Sequence, residues 1–190
     1  MQSRLSINYT HMTLPKSQSE AMQIPSEEFL TETTPAFLSQ LTADTPRQWG
    51  KMTPQHMLEH VSSIIYISRK DLGLQSFVPE DKLEKAQSFI LRKDKMFRQG
   101  TKAPMMGDQL QDLKFEHLDA AKKVFLESIQ KFYAFHKDAQ HAEPPVIMHP
   151  AFGPLTLPLW ERFHHKHIIH HFAQFGLMET DMSAKAKTDA

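Results

Sequence analysis

The chain has 190 residues, with 22 Lys plus Arg balanced by 22 Asp plus Glu, so its formal net charge is zero and it lacks the cationic footprint of a nucleic-acid binder or a polybasic membrane-surface protein. It has no cysteine, which excludes disulfide scaffolds, thiolate catalysis, Cys-ligated zinc and Cys-held iron–sulfur clusters. No apolar run approaches the ~18 residues of a membrane span, and the N-terminus is polar where a secretion signal needs an apolar stretch, so a cytoplasmic protein is expected.

Residues 1–25 are rich in Ser, Gln and Thr without a sustained period and read as disordered or loosely docked, as does the tail 179–190. A single domain is expected over 26–178. Its first helix fits 26–41, with Ser26 as N-cap, a face of Phe29, Leu30, Phe37 and Leu41, and Pro35 bending or splitting it. After the turn TADTPRQWG, Thr53-Pro54 opens a second helix with Thr as N-cap and Pro at the first helical position. Met57, Leu58, Val61, Ile64, Ile65 and Ile67 recur mostly at three and four, an amphipathic pattern. DLGLQ closes it. A shorter charged helix is predicted over 79–97 and a loop over 100–109.

The strongest helical pattern spans 112–136. Leu118, Ala121, Phe125, Ile129 and Phe132 line one side, with Glu116, Lys123 and Glu127 opposite. A Pro-rich connection, EPPVIMHPAFGPLT, leads to a last helix capped by Thr156 and ending at Gly176. No strand signal is long enough to argue for a sheet. Four substantial helices with long connections predict an all-α helical bundle.

Histidine is the unusual entry in the composition: twelve in all, five of them between His164 and His171. In WERFHHKHIIHHFAQFG, His167 and His171 are four apart and project from one face about a turn apart, so two ring nitrogens reach one ion. A solvated polar face is the plain alternative. Against it, Trp160, Phe163, Ile168, Ile169, Phe172 and Phe175 occupy most of the same helix, and buried histidines need a metal or hydrogen-bond partners. A third ligand has to come from another helix. In TPQHMLEHV, His60 shares the core-facing stripe of Met57, Ile64 and Ile67, whereas His56 sits a turn nearer the exposed start. Three imidazoles around an open position make a catalytic divalent-metal site; a structural one would take a fourth ligand, from His164 or a nearby carboxylate.

Rival chemistries are weaker. His56-Met57-Leu58-Glu59-His60 matches the inverted zinc-peptidase string H-x-x-E-H, but five residues recur easily in a His-rich chain, and such peptidases are much larger. A di-iron bundle needs paired Glu-x-x-His motifs, and Glu161 to His164 is the single case. Ser62, Ser63 and Ser128 lie mid-helix without a glycine-framed elbow, and no glycine-rich nucleotide cradle exists. Glu59 points about 100° away from His60 on an ideal helix and is assigned no role as a base.

His60 on the core face of the second helix, followed by His167, His171 and Gln174 as H-x-x-x-H-x-x-Q in the last, resembles the DinB/YfiT-like metalloprotein superfamily. Trp49-Gly50-Lys51-Met52-Thr53-Pro54 and His149-Pro150-Ala151-Phe152-Gly153-Pro154-Leu155-Thr156, with His170-His171 through Gln174-Phe175-Gly176, look like the signatures of one uncharacterised branch, over 29–177. The resemblance implies an up-down four-helix bundle, often a homodimer, with His60, His167 and His171 holding one divalent ion (Zn²⁺, Ni²⁺ or Fe²⁺). It also implies a metal-dependent enzyme acting on a small molecule, by hydrolysis or by transfer to or from a thiol. The competing class is a non-catalytic metal-binding or helical ligand-binding and interaction protein. Among the surplus histidines, His164 matches no ligand position, His170 would support a ligand or pack between helices, and His149 would line the pocket mouth or serve the turn before Pro150. Gln174 would hold a ligand or a water, or pack. His11, His117, His136 and His141 read as surface residues.

Overall fold

The computed structural model describes residues 13–101 and 110–180. Over these the protein is mainly helical, with one small two-stranded antiparallel sheet. No helix among the described residues is long and apolar enough to cross a membrane.

The segment expected to be loose at the start is docked from residue 13 onward. A single helical turn, α1 (Gln18–Ala21), is capped by the Ser17 hydroxyl accepting from the Glu20 N–H, and it buries Ala21 and Met22 completely. The expected C-terminal tail begins equally ordered. Gln18 N–H donates to Glu179 O at 3.0 Å and Glu179 N–H to Lys16 O at 2.7 Å, a parallel bridge between the two ends of the described fold. Residues 1–12 and 181–190 lie outside the described residues, as does most of the loop predicted over 100–109.

The first predicted helix exists but is neither capped nor interrupted as expected. It runs as α2 (Ser26–Glu28), a π-helical turn (Phe29–Thr33) and α3 (Thr34–Gln40). The cap is Pro25, which makes no side-chain bond, and the Ser26 hydroxyl lies instead 3.1 Å from His165 Nδ1. Pro35 is the second residue of α3 and has no N–H to give to the preceding turn; widening that turn to π spacing absorbs the missing donor without breaking the helix.

Thr53 caps α4 (Pro54–Ile67) by accepting from His56 N–H, and Pro54 occupies its first position, as expected. The charged helix α5 (Glu80–Leu91) is shorter than the predicted 79–97. Its continuation is extended at Arg92, because the fully buried Lys166 ammonium takes the main-chain carbonyls of Arg92 and Lys95. Burial pushes that ammonium down to about 8, with the neighbouring Arg162 acting in the same direction.

Helix α6 (Leu118–His136) starts six residues later than predicted. His117, read as a surface residue, is its N-cap and accepts from Ala120 N–H at 3.1 Å. His136, read the same way, is buried at the other end and donates through Nε2 to Ser68 O at 2.7 Å. His141 is exposed, and its Nε2 reaches Phe135 O.

The absence of strands was the wrong expectation. β1 (Ile147–His149) and β2 (Gly153–Leu155) form a hairpin from the segment read as a connection, in register Ile147 with Leu155 and His149 with Gly153. Three-residue strands are too short to show a period of two. Gly153 is required at the turn: its φ is +71°, and a Cβ there would stand 2.6 Å from Leu83 Cδ2. Trp160 Nε1–H donates to Ile147 O, tying the hairpin to the last helix, α7 (Leu157–Gln174).

α7 is the central element. It packs against α5, α4, the N-terminal helices and β2, and nearly its whole circumference is buried from Trp160 onward. α4 packs along α6. The last helix therefore carries its imidazoles into the interior.

Candidate metal centre

Two helices supply the site. On α7, His167 and His171 stand one turn apart, their Nε2 atoms 3.1 Å from each other. From α4, His60 places its Nε2 3.1 Å from His167 Nε2, so one ligand atom from each of the three lies within 4.8 Å of the others. The i, i+4 repeat on α7 provides the pair. His60 arrives because it lies on the face of α4 that Met57 and Ile64 turn inward.

Three converging imidazole nitrogens cannot satisfy one another. An imidazole Nε2 has one in-plane direction, a proton or a lone pair, and serves one hydrogen bond. His167 Nε2 is within bonding distance of two partners and can make a well-directed hydrogen bond to only one of them. A cation at the centre removes the conflict. Nitrogens 2.0–2.1 Å from a tetrahedral zinc stand about 3.3 Å apart, close to the spacing found here. Burial, and then repulsion from neighbouring imidazoles, holds His167 and His171 well below the usual histidine range; the same causes push His60 down to about 4. Neutral imidazoles are the ligand-competent form at neutral pH.

The surrounding residues divide clearly. His171 Nδ1 lies 2.8 Å from Gln174 Oε1, and Gln174 Nε2–H donates to Trp49 O at 3.1 Å. His170 stands beside the cluster with its ring edge-on to Trp49 and to Phe97. Phe97 also packs its ring against His167. His164 is not part of the donor set: its Nε2 is bonded to Ser68 Oγ at 2.9 Å and its ring stacks on Trp160. His149 is likewise apart, its Nδ1 accepting from Ala151 N–H inside the hairpin turn and its ring boxed by Phe152, Trp160 and Phe163.

A cavity of about 100 Å³ opens beside His60, walled by Met52, His56, Ser63 and Ile64 and by residues 110–112 and Lys114. Glu59 is on its wall but engaged: its carboxylate accepts from the N–H groups of Lys114 and Phe115 and from the Gln55 amide. That network pins the segment before α6 to α4. His56 is tied by Nδ1 to Thr53 Oγ1 at 2.6 Å. The H-x-x-E-H string therefore does not assemble as two ligands and a base.

Sequence reasoning missed the parts of the site that come from main chain, the Trp49 carbonyl and the close approach at Gly50, and also the Phe97 ring. Trp49-Gly50 ahead of a capped helix was the available signal, and it marks a turn without saying what the turn touches.

These features define a mainly helical protein with a three-histidine candidate metal centre between α4 and α7. A sequence profile for the family described as a protein of unknown function (DUF1569) matches residues 83–178, and the chain belongs to that family. The matched stretch contains His167 and His171 and begins after His60. No curated protein and no solved structure matches the chain.

Proposed function

We propose that the protein is a divalent-metal-dependent enzyme acting on a small molecule, with His60, His167 and His171 as the metal ligands. One observation supports this above the others: three Nε2 atoms from two helices converge at spacings that suit an ion, beside a cavity at His60. Among the described residues no carboxylate or further imidazole joins the three. A three-ligand donor set is the count of a catalytic centre, and a purely structural zinc takes four. A zinc, nickel or iron(II) ion held there would act as a Lewis acid on water or on a substrate thiol, which serves hydrolysis or S-transfer.

The chain's own contribution is placement. Gln174 and the loop at Trp49 fix the His171 ring; Phe97 and Phe163 cover the His167 side and limit water. Glu59 shapes the cavity wall through the Lys114 and Phe115 N–H groups rather than holding a free proton. The four longer helical segments, 26–40, α4, α6 and α7, are the members of the up-down bundle inferred from the DinB/YfiT resemblance, and we extend that superfamily's metalloenzyme character to this chain.

The test is metal content by inductively coupled plasma mass spectrometry on untagged protein, before and after chelation. About one transition-metal ion per chain is expected, with loss on substituting any of the three histidines. Thiol-transfer and hydrolysis screens then follow on the loaded protein. Absence of metal, together with no rise in Tm on adding Zn²⁺, Ni²⁺ or Fe²⁺, sinks the proposal and leaves a helical binding protein.

A further inference from the structure

We propose that Gln174 is a positioning residue that fixes the tautomer of His171, and that the 47–50 loop in turn fixes Gln174. This rests on reading His60, His167 and His171 as a donor set, but its first test does not need a metal.

A main-chain carbonyl can only accept, so the Gln174 side-chain atom facing Trp49 O must be its NH₂ group. The amide is thereby oriented, and its oxygen faces His171 Nδ1 at 2.8 Å. That oxygen also can only accept, so His171 Nδ1 carries the proton. A neutral imidazole has one N–H, which leaves His171 Nε2 as a bare lone pair, aimed at the point it shares with His167 and His60. The ligand form of His171 is thus dictated by the Trp49 carbonyl, 125 residues from Gln174 in sequence.

The loop is built for this. Gly50 has φ +80°, and a Cβ on it would stand 2.7 Å from Gln174 Nε2, so the backbone can approach the amide this closely only as glycine. Arg47 Nε–H donates to Gly50 O and closes the loop on itself. Gln48 N–H donates to Gln174 O at 2.7 Å, so the same loop holds the residue's main chain as well as its side chain. A residue serving only to pack α7 would not need its amide oriented at both ends.

Long-range ¹H–¹⁵N correlation NMR on the metal-free full chain reads the tautomer of each histidine. His171 is expected to be protonated on Nδ1 in the wild type. Gln174→Leu removes the acceptor and should give a mixture or the Nε2–H form; Gln174→Glu, which keeps an acceptor oxygen, should restore Nδ1–H. Zn²⁺ affinity by chelator competition should fall about 10- to 100-fold in Gln174→Leu, the usual effect of losing a ligand's outer partner, and recover most of the way in Gln174→Glu. Gly50→Ala displaces Gln174 without altering it and should shift both readouts in the same direction.

Wild-type His171 protonated on Nε2 overturns the proposal, as does a folded Gln174→Leu protein with unchanged tautomer and affinity. Should the wild type bind no Zn²⁺, the enzyme reading fails while the tautomer still decides this one. Should Gln174→Leu not fold, the wild-type spectrum and Gly50→Ala decide it.

Discussion

At the scale of single residues, the three convergent imidazoles and the histidines elsewhere should behave very differently on substitution. His167→Ala or His171→Ala is expected to lower metal content and to abolish the rise in Tm on adding metal, because a ligand that binds the folded state stabilises it. His60→Ala should do the same, and metal content unchanged in that variant would remove His60 from the set. His141→Ala, at an exposed position beyond α6, should leave both measurements alone. The α7 pair was readable from its one-turn repeat and His60 from a core-facing stripe on α4, while the choice of these three as a set came from the family resemblance. His117 is exposed as expected but also caps α6, and His136 was misread as a surface residue; both roles depend on partners that spacing does not reveal. One satisfies an orphan N–H at the start of α6, and the other reaches Ser68 O at the far end of α4.

At the scale of elements, helix ends carry most of the disagreement between pattern and structure. The start of α4 was legible from Thr53-Pro54, and Thr53→Ala should cost about 1 kcal/mol in urea unfolding through loss of its cap to His56 N–H. The end of α5 was not legible, because a side chain 74 residues further on takes the Arg92 carbonyl and stops the helix. Lys166→Met removes the ammonium that stands over the Phe89 ring and leaves two carbonyls without their donor. It is expected to destabilise by about 2 kcal/mol, the scale of an unmade buried hydrogen bond, measured as a lower midpoint in urea. An unchanged midpoint would mean water replaces the ammonium. The hairpin escaped notice for another reason: strands of three residues fall below any periodicity, and only the glycine between two prolines hinted at a reversal.

At the scale of the whole molecule, the buried imidazoles set the response to acid. Burial lowers His149 to about 4, lowers His136, and holds His164 well below the usual range, with repulsion from His149 and His136 adding at His164. In the unfolded chain each titrates near 6.5. Below that pH the unfolded chain takes up protons that the folded chain refuses, so stability is complete above about 6.5 and declines as the pH falls towards 4. Each such group contributes a slope of up to about 1.4 kcal/mol per pH unit. Melting curves at pH 7.5, 6 and 5 should show Tm dropping progressively more steeply; a flat Tm over that range would contradict neutral burial of these rings. Composition alone signalled imidazole chemistry, but how many rings the core encloses required knowing that α7 is surrounded.

The bridge between the two ends of the described fold has a mechanical consequence. Around Ser17 and Glu179 the backbones run parallel, joined by Gln18 N–H to Glu179 O and Glu179 N–H to Lys16 O. Tension applied at residue 16 and at residue 180 pulls the two segments in opposite directions along their common axis. Both hydrogen bonds then bear load together in shear instead of unzipping one after the other. Beneath them, Ala21 and Met22 on one segment and Met178 on the other are buried and anchor both in the core.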